Sequence, residues 1–258
     1  MSERPVAIVT GAARPWGIGR ATALDLARRG YDIVIADLRA DWGAEAEAEV
    51  RATGAAALFV ETDVSNRASV FAMVDRAVAT FGRVDALLNV AAIHGRISTE
   101  DFTDEQFHQV IGVDLLGPML CAQAVIAPMK ARNYGRIVNV ASTSPYRVPA
   151  REYPVSLYNA AKGGLIAWTK SAAMELAPYG IVTTVVAVGA TSTRMGAEKG
   201  PSARYNEFME KELHDAPPWG RLSTVAEVAE VLADVATAKN HLLLGATIHA
   251  SAGRVMGI

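Results

Sequence analysis

Tyr158 and Lys162 lie four positions apart in the run Leu157-Tyr158-Asn159-Ala160-Ala161-Lys162, with Ser142 upstream at the end of an apolar stretch. Apolar residues at Leu157, Ala161, Leu165 and Trp168 recur at helical spacing, so the segment reads as an amphipathic helix. On a helix, positions i and i+4 share a face, which brings the Tyr158 hydroxyl and the Lys162 ammonium to one site. A free tyrosine titrates near pH ~10, and a neighbouring cation favours its phenolate. Such a phenolate takes a proton from an alcohol or returns one to a ketone oxygen. An isolated Y-x-x-x-K is most often an ordinary surface pair. Here Ser142 follows the strand-like Arg136-Ile137-Val138-Asn139-Val140-Ala141, at a strand's C-terminal end, where open α/β sheets place ligands.

The three groups meet only if the rest of the chain builds such a sheet. Val6-Ala7-Ile8-Val9-Thr10 is a short apolar run of the kind buried on both faces of a parallel sheet. It leads into Gly11-Ala12-Ala13-Arg14-Pro15-Trp16-Gly17-Ile18-Gly19, and the helix that follows closes with Arg28, Arg29 and Gly30. Strand, Gly-rich turn and helix make a phosphate cradle: glycines admit close backbone approach, and the helix N-terminus supplies N–H groups and a positive dipole end. Asp32 to Ala36 reads as a second strand ending at Asp37. An acidic group about 20 residues beyond the glycines accepts hydrogen bonds from the adenosine ribose and repels a 2′-phosphate. Asp37 therefore points to NAD. Arg39 would favour NADP but is less well placed.

The alternation continues with a helix from Ala44 to Ala52 and a strand from Ala56 to Glu61, followed by Asp63-Val64. Ser65 or Asn66 caps a helix to Phe81, and Ala86-Leu87-Leu88-Asn89 makes a fourth strand. A long helix from about Asp104 to Ala131 precedes the strand before Ser142. The Tyr158 helix ends at Ala177-Pro178-Tyr179-Gly180, and Ile181 to Ala187 forms a sixth strand. This pattern predicts a parallel sheet with helices on both faces. With no linker, repeat or low-complexity segment, residues 1–258 are expected to form a single doubly wound domain.

Composition excludes several function classes. The chain is 51% apolar and 20% charged, with a formal net charge of -2, and so offers no electrostatic footprint for nucleic acid or anionic membrane. No apolar run is expected to span a membrane. Met1-Ser2-Glu3-Arg4-Pro5 leads into a strand without an apolar leader, and the only cysteine, Cys121, sits in an apolar helical pattern. A cytoplasmic protein without disulfides is expected. His94, His108, His214, His241 and His249 are scattered, so no metal site is expected.

Gly11, Gly17, Gly19, Asp37, Asp63, Asn89, Ser142, Tyr158 and Lys162, in this order, resemble the motif set of the short-chain dehydrogenase/reductase family. The resemblance extends to a terminal Gly245-Ala246-Thr247-Ile248 strand. It implies a Rossmann fold with a mainly parallel seven-stranded sheet, assembled as a homotetramer or homodimer. It also implies that Gly11, Gly17, Ile18 and Gly19, with Trp16 in the same turn, line the cofactor phosphates. Asp63 and Val64 would flank adenine, and Asn89 and Ala91 the adenosine side of the nicotinamide ribose. Ser142 would hold the substrate oxygen, Tyr158 would be the acid/base, and Lys162 would bind the ribose and tune Tyr158. Gly189 and Thr193 match the loop that covers the nicotinamide carboxamide.

Four features depart from the family pattern. Five residues, Ala12 to Trp16, separate the first two glycines, which is longer than usual; Pro15 stiffens this turn by fixing its own φ. Asp114, in Val113-Asp114-Leu115-Leu116-Gly117, replaces the catalytic asparagine whose main-chain carbonyl holds a proton-relay water. Pro118 has no N–H to bond that carbonyl, so the relay is expected to survive with a carboxylate added near Lys162. Val188-Gly189 replaces Pro-Gly after the sixth strand, and the segment from Thr143 to Leu157 is long.

That long segment and a lid at about 190–219 would frame the substrate. His94, Arg96, Arg147, Arg151, Tyr153 and Met195 are the candidate contacts; loop arginines are usually solvated, but bidentate guanidinium groups also suit an anionic or polyhydroxylated substrate. The chain is therefore expected to interconvert a secondary alcohol and a ketone with NAD. The alternatives are an NADPH-dependent ketoreductase of the 3-oxoacyl type and a non-catalytic nucleotide-binding module.

Overall fold

The computed structural model describes residues 3–94, 97–147, 154–193 and 218–256. Its strands are β1 (Val6–Thr10), β2 (Asp32–Asp37), β3 (Ala57–Glu61), β4 (Ala86–Asn89), β5 (Gly135–Ser142), β6 (Ile181–Val188) and β7 (Thr247–Ala250). They form one seven-stranded sheet in the order β3-β2-β1-β4-β5-β6-β7, with every pairing parallel. The chain winds outward from β1 to β3, returns to place β4 beside β1, then winds outward the other way. The loops after β1 and β4 therefore part, and the crevice between them is where open sheets bind ligands.

Strands β1, β2 and β4 are almost wholly apolar because both faces are covered. Val9, Ile33, Ile35 and Leu88 pack with helices α1 (Ile18–Arg28), α2 (Ala40–Ala52) and α7 (Val225–Thr237). Ile8, Val34, Leu87 and Ile137 pack on the opposite face with α3 (Arg67–Phe81), α5 (Gly117–Arg132) and α6 (Ser156–Leu176). Asn66 caps α3 by accepting a hydrogen bond from the Ser69 N–H, as one of the two expected capping residues should.

The long helix expected from Asp104 is interrupted. It consists of α4 (Asp104–Ile111), a π-helical turn over Gly112–Leu116, and α5. Within the turn the Gly117 N–H reaches back to the Gly112 carbonyl. Pro118 explains the break, since it has no N–H with which to continue the ladder. The helical run Asp104–Arg132, 29 residues, is long and apolar enough to cross a membrane by length and composition alone, a test that a protein's core helix also passes. Half of its apolar window is buried inside the protein, against α3, α6 and the sheet.

Two further boundaries differ from expectation. Helix α2 begins at Ala40 rather than Ala44, because Gly43 does not break it: the Phe59 ring packs where a Cβ would lie. Trp42 thereby enters the first helical turn. The last strand begins at Thr247, since Gly245 takes φ +68 and turns the chain into the sheet.

Candidate active site

Helix α6 starts at Ser156, so Tyr158 and Lys162 occupy successive early turns on one face. Lys162 is only 2% exposed; its Nζ donates to the Val140 carbonyl at 3.1 Å and lies 3.1 Å from Asp114 Oδ1. The same Nζ is 5.8 Å from the centre of the Tyr158 ring. Val140 precedes Ser142 by two residues on β5, so the bond to its carbonyl brings Lys162 to the strand end that carries Ser142. The Ser142 Oγ accepts the Ser144 N–H at 3.1 Å, which leaves its own proton for another acceptor. His94, on the loop after β4, meets the Tyr158 ring edge-on with centroids 4.9 Å apart.

Asp114 projects from the π-turn and is fully buried. Burial pushes its carboxyl above the usual carboxylate range, and the Lys162 ammonium opposes that push. A buried pair of this kind is secure only while both partners are present; removing one typically costs about 3–5 kcal/mol.

On the other side of the crevice, backbone packing shapes the Gly-rich turn. Gly11 takes φ +65, and a Cβ there would lie 2.7 Å from Ala91 Cα. The Val90 and Ala91 N–H groups donate to Thr10 Oγ1 at 3.0 and 3.1 Å, tying the loop after β4 to the end of β1. The extra residues fold as a tight turn in which the Gly17 N–H donates to the Arg14 carbonyl at 2.9 Å. Pro15 takes the second position of that turn, where its fixed φ fits. Gly17 caps α1 without a side-chain hydrogen bond, so the first-turn N–H groups face an anion site. Asp37 accepts the Ala13 N–H at 2.9 Å through Oδ2 and the Arg39 N–H at 3.1 Å through Oδ1. The uncapped helix start, the strand-end carboxylate and the Lys162–Tyr158 pair across the crevice together fit a nicotinamide dinucleotide in chemistry and order.

Other expected contacts differ in kind. Asn89 is buried, and its Nδ2 donates to Asn139 Oδ1 at 2.8 Å and to the Pro118 carbonyl at 3.3 Å. Asn139 donates in turn to Thr169 Oγ1 at 2.9 Å. The Asn89 Nδ2 thus joins β4, β5 and the start of α5, while its buried Oδ1 has no partner among the described residues. Asp63 Oδ1 accepts from both the N–H and the hydroxyl of Ser65, and the Val64 side chain packs against Gly117. Gly189 donates to the Ala250 carbonyl at 2.9 Å and Thr193 to the Thr191 carbonyl at 2.7 Å, so the loop after β6 is anchored at its root. Arg147 is exposed. Arg96, Arg151, Tyr153, Met195 and most of the expected lid fall outside the described residues.

Sequence reasoning passed over Thr10, Asn139, the Val140 carbonyl and Trp42. A polar Asn inside the apolar β5 run was a readable signal for Asn139. Trp42 carried none, because its position depends on where α2 begins.

The short chain dehydrogenase family profile matches residues 5–204, and the chain belongs to that family of oxidoreductases, which bind a nicotinamide cofactor. It is 36% identical over 249 residues to the cis-4-hydroxycyclohexanecarboxylate dehydrogenase of Sinomonas cyclohexanicum, covering 96% of this chain and 95% of that one. It is 35% identical over 231 residues to an uncharacterized oxidoreductase of Thermotoga maritima, covering 90% and 88%. The crystal structure of an NAD+-bound xylitol dehydrogenase superposes with a TM-score of 0.86 at 29% identity, covering 96% of this chain and 98% of that one.

Proposed function

We propose that the protein is an NAD(H)-dependent dehydrogenase that interconverts a secondary alcohol and a ketone. The observation that carries this reading is the bond from Lys162, beside the Tyr158 ring on α6, to the Val140 carbonyl, two residues before Ser142 on β5. In the oxidative direction the Tyr158 phenolate accepts the substrate hydroxyl proton, while the Ser142 hydroxyl donates to the same oxygen and orients it. Bound nicotinamide supplies or accepts the hydride. Two of the three Lys162 protons face Val140 and Asp114, and the third serves the ribose. Asp114 acts through Lys162 and is a positioning residue. Gly11, Gly17, Ile18 and Gly19 cradle the diphosphate, and Asp37 reads the adenosine ribose.

For the substrate we favour a ring or chain alcohol carrying polar or anionic groups. The named activities of two relatives, on a hydroxycyclohexanecarboxylate and on xylitol, support that class, as does His94 beside Tyr158. A single domain, a lid over 190–219 and a cytoplasmic homotetramer complete the reading. The edge strand β7 and the exposed Trp219, Leu242 and Met256 suit self-association.

The test is NADH production from NAD over cyclic hydroxy acids, polyols, sugars and hydroxysulfonates, with Tyr158→Phe as control. Turnover lost in the variant supports the mechanism. Tight NADH binding with no turnover on any alcohol, or on ketones in reverse, favours the non-catalytic module. The second reading, an NADPH-dependent ketoreductase, requires Arg39 or Arg14 to contact a 2′-phosphate despite Asp37, and the ratio of NADH to NADPH affinity separates the two.

A further inference from the structure

Trp42, on the first turn of α2, gathers side chains from both loops that frame Asp37. The Arg39 guanidinium lies over its ring, 3.9 Å from the centroid, and the Arg14 guanidinium lies 5.4 Å from it. The Trp16 ring meets it edge-on with centroids 5.6 Å apart. Arg39 is also held by Asp41, with Nε and Nη2 at 3.3 and 3.2 Å from the two carboxylate oxygens. That hydrogen bond holds the Asp41 carboxyl below its usual range. Gly43, pressed against Phe59, seats the first turn of α2 closely against β3.

The Arg39 N–H bonds to Asp37 Oδ1, so the Arg39 side chain springs from the rim of the site that would read the adenosine ribose. An unrestrained guanidinium at that rim is a ready bidentate ligand for a 2′-phosphate. Arg14, on the phosphate turn, approaches from the other side. Asp37 repels such a phosphate, but two loose arginines would offset the repulsion. Both instead lie over one indole, at 5.4 Å for Arg14 and 3.9 Å for Arg39, and Arg39 is paired with Asp41.

We infer that Trp42, with Asp41, is a cofactor-selectivity element that withholds Arg39 and Arg14 from a 2′-phosphate and leaves Asp37 to select NAD(H). This rests on the dinucleotide reading above. Selectivity thus depends on a residue that itself touches no phosphate: a rim cation is present but occupied. Each contact is solvent-facing and modest, so the expected effect is moderate.

The test is calorimetric measurement of NADH and NADPH dissociation constants for wild type, Trp42→Ala, Trp42→Phe and Asp41→Ala. Trp42→Ala should shift the affinity ratio about tenfold towards NADPH, and Asp41→Ala should shift it the same way by less. Trp42→Phe, which keeps an aromatic face, should stay close to wild type. Should Trp42→Ala fail to fold, Asp41→Ala still decides. Equal weakening of both nucleotides, or an unchanged ratio, would assign Trp42 a purely structural role and overturn the inference. Wild-type protein that binds neither nucleotide would overturn the dinucleotide reading itself, a result distinct from an unchanged ratio.

Discussion

The ammonium of Lys162, on the helix that carries Tyr158, and the carboxylate of Asp114 form an ion pair at 3.1 Å, with both residues buried. The family pattern has a neutral asparagine at this position, where this chain carries a carboxylate. Here the negative charge offsets part of the pull that Lys162 exerts on the Tyr158 phenol. Asp114→Asn removes that offset and should favour the phenolate. The acid limb of kcat/KM for alcohol oxidation should move to lower pH. The pH–rate profile checks this. An unmoved limb would mean that the carboxyl carries no net charge there, and a fall in rate at every pH would make it part of the proton path.

Tyr158→Phe removes only the hydroxyl. The ring keeps its edge contact with His94, and Lys162 keeps Val140 and Asp114. Turnover should fall by about 10²–10⁴, the usual worth of a positioned acid/base, while the NADH dissociation constant should change little. Steady-state rates and calorimetry together read this split. Loss of binding alongside turnover would show that the hydroxyl holds the cofactor rather than moving the proton.

Cys121 lies fully buried within α5, where burial pushes its thiol up to about 12. The native protein should therefore present almost no thiolate at pH 8 and stay silent towards a disulfide reagent. One thiol per chain should react once guanidinium unfolds it. Rapid native labelling would show that α5 opens locally, contrary to its packing.

The strand-and-helix alternation made the sheet legible, because both-face burial writes the central strands as short apolar runs. Tyr158, Lys162 and Ser142 were legible for a related reason: one spacing rule and one strand end place them. Less could be read where tertiary packing overrides local pattern. Gly43 reads as a breaker, yet it sits inside α2 because Phe59 needs the space. Asn89 reads as a ligand, and its Nδ2 also ties β4 to β5, a packing role that the sequence does not show. The Asp114 carboxylate was expected near Lys162 and lies 3.1 Å from its Nζ, but the π-turn at Pro118 that directs it there is encoded by no periodicity.

Gly19 and Gly30 offer a contrast between a glycine needed for space and one needed for backbone shape. Gly19 lies in the first turn of α1, where alanine is intrinsically better by about 1 kcal/mol. A Cβ there would overlap the Gly11 carbonyl oxygen and lie 2.9 Å from the Gly11 carbonyl carbon and 3.0 Å from Ala12 Cα. These are backbone atoms and cannot rotate aside, so either the helix or the phosphate turn must move. Sterics win over propensity: Gly19→Ala should cost about 1–3 kcal/mol and weaken NADH binding more than about tenfold. Gly30 takes φ +95 with nothing within 4 Å of its would-be Cβ. Gly30→Ala should lower stability by about 1–2 kcal/mol through backbone strain alone. It lies at the far end of α1, so NADH affinity should hold. Thermal denaturation and calorimetry on the two variants separate the effects. Equal losses of NADH affinity in both would mean that Gly19 matters only through global stability and that its contact with Gly11 does not shape the phosphate turn.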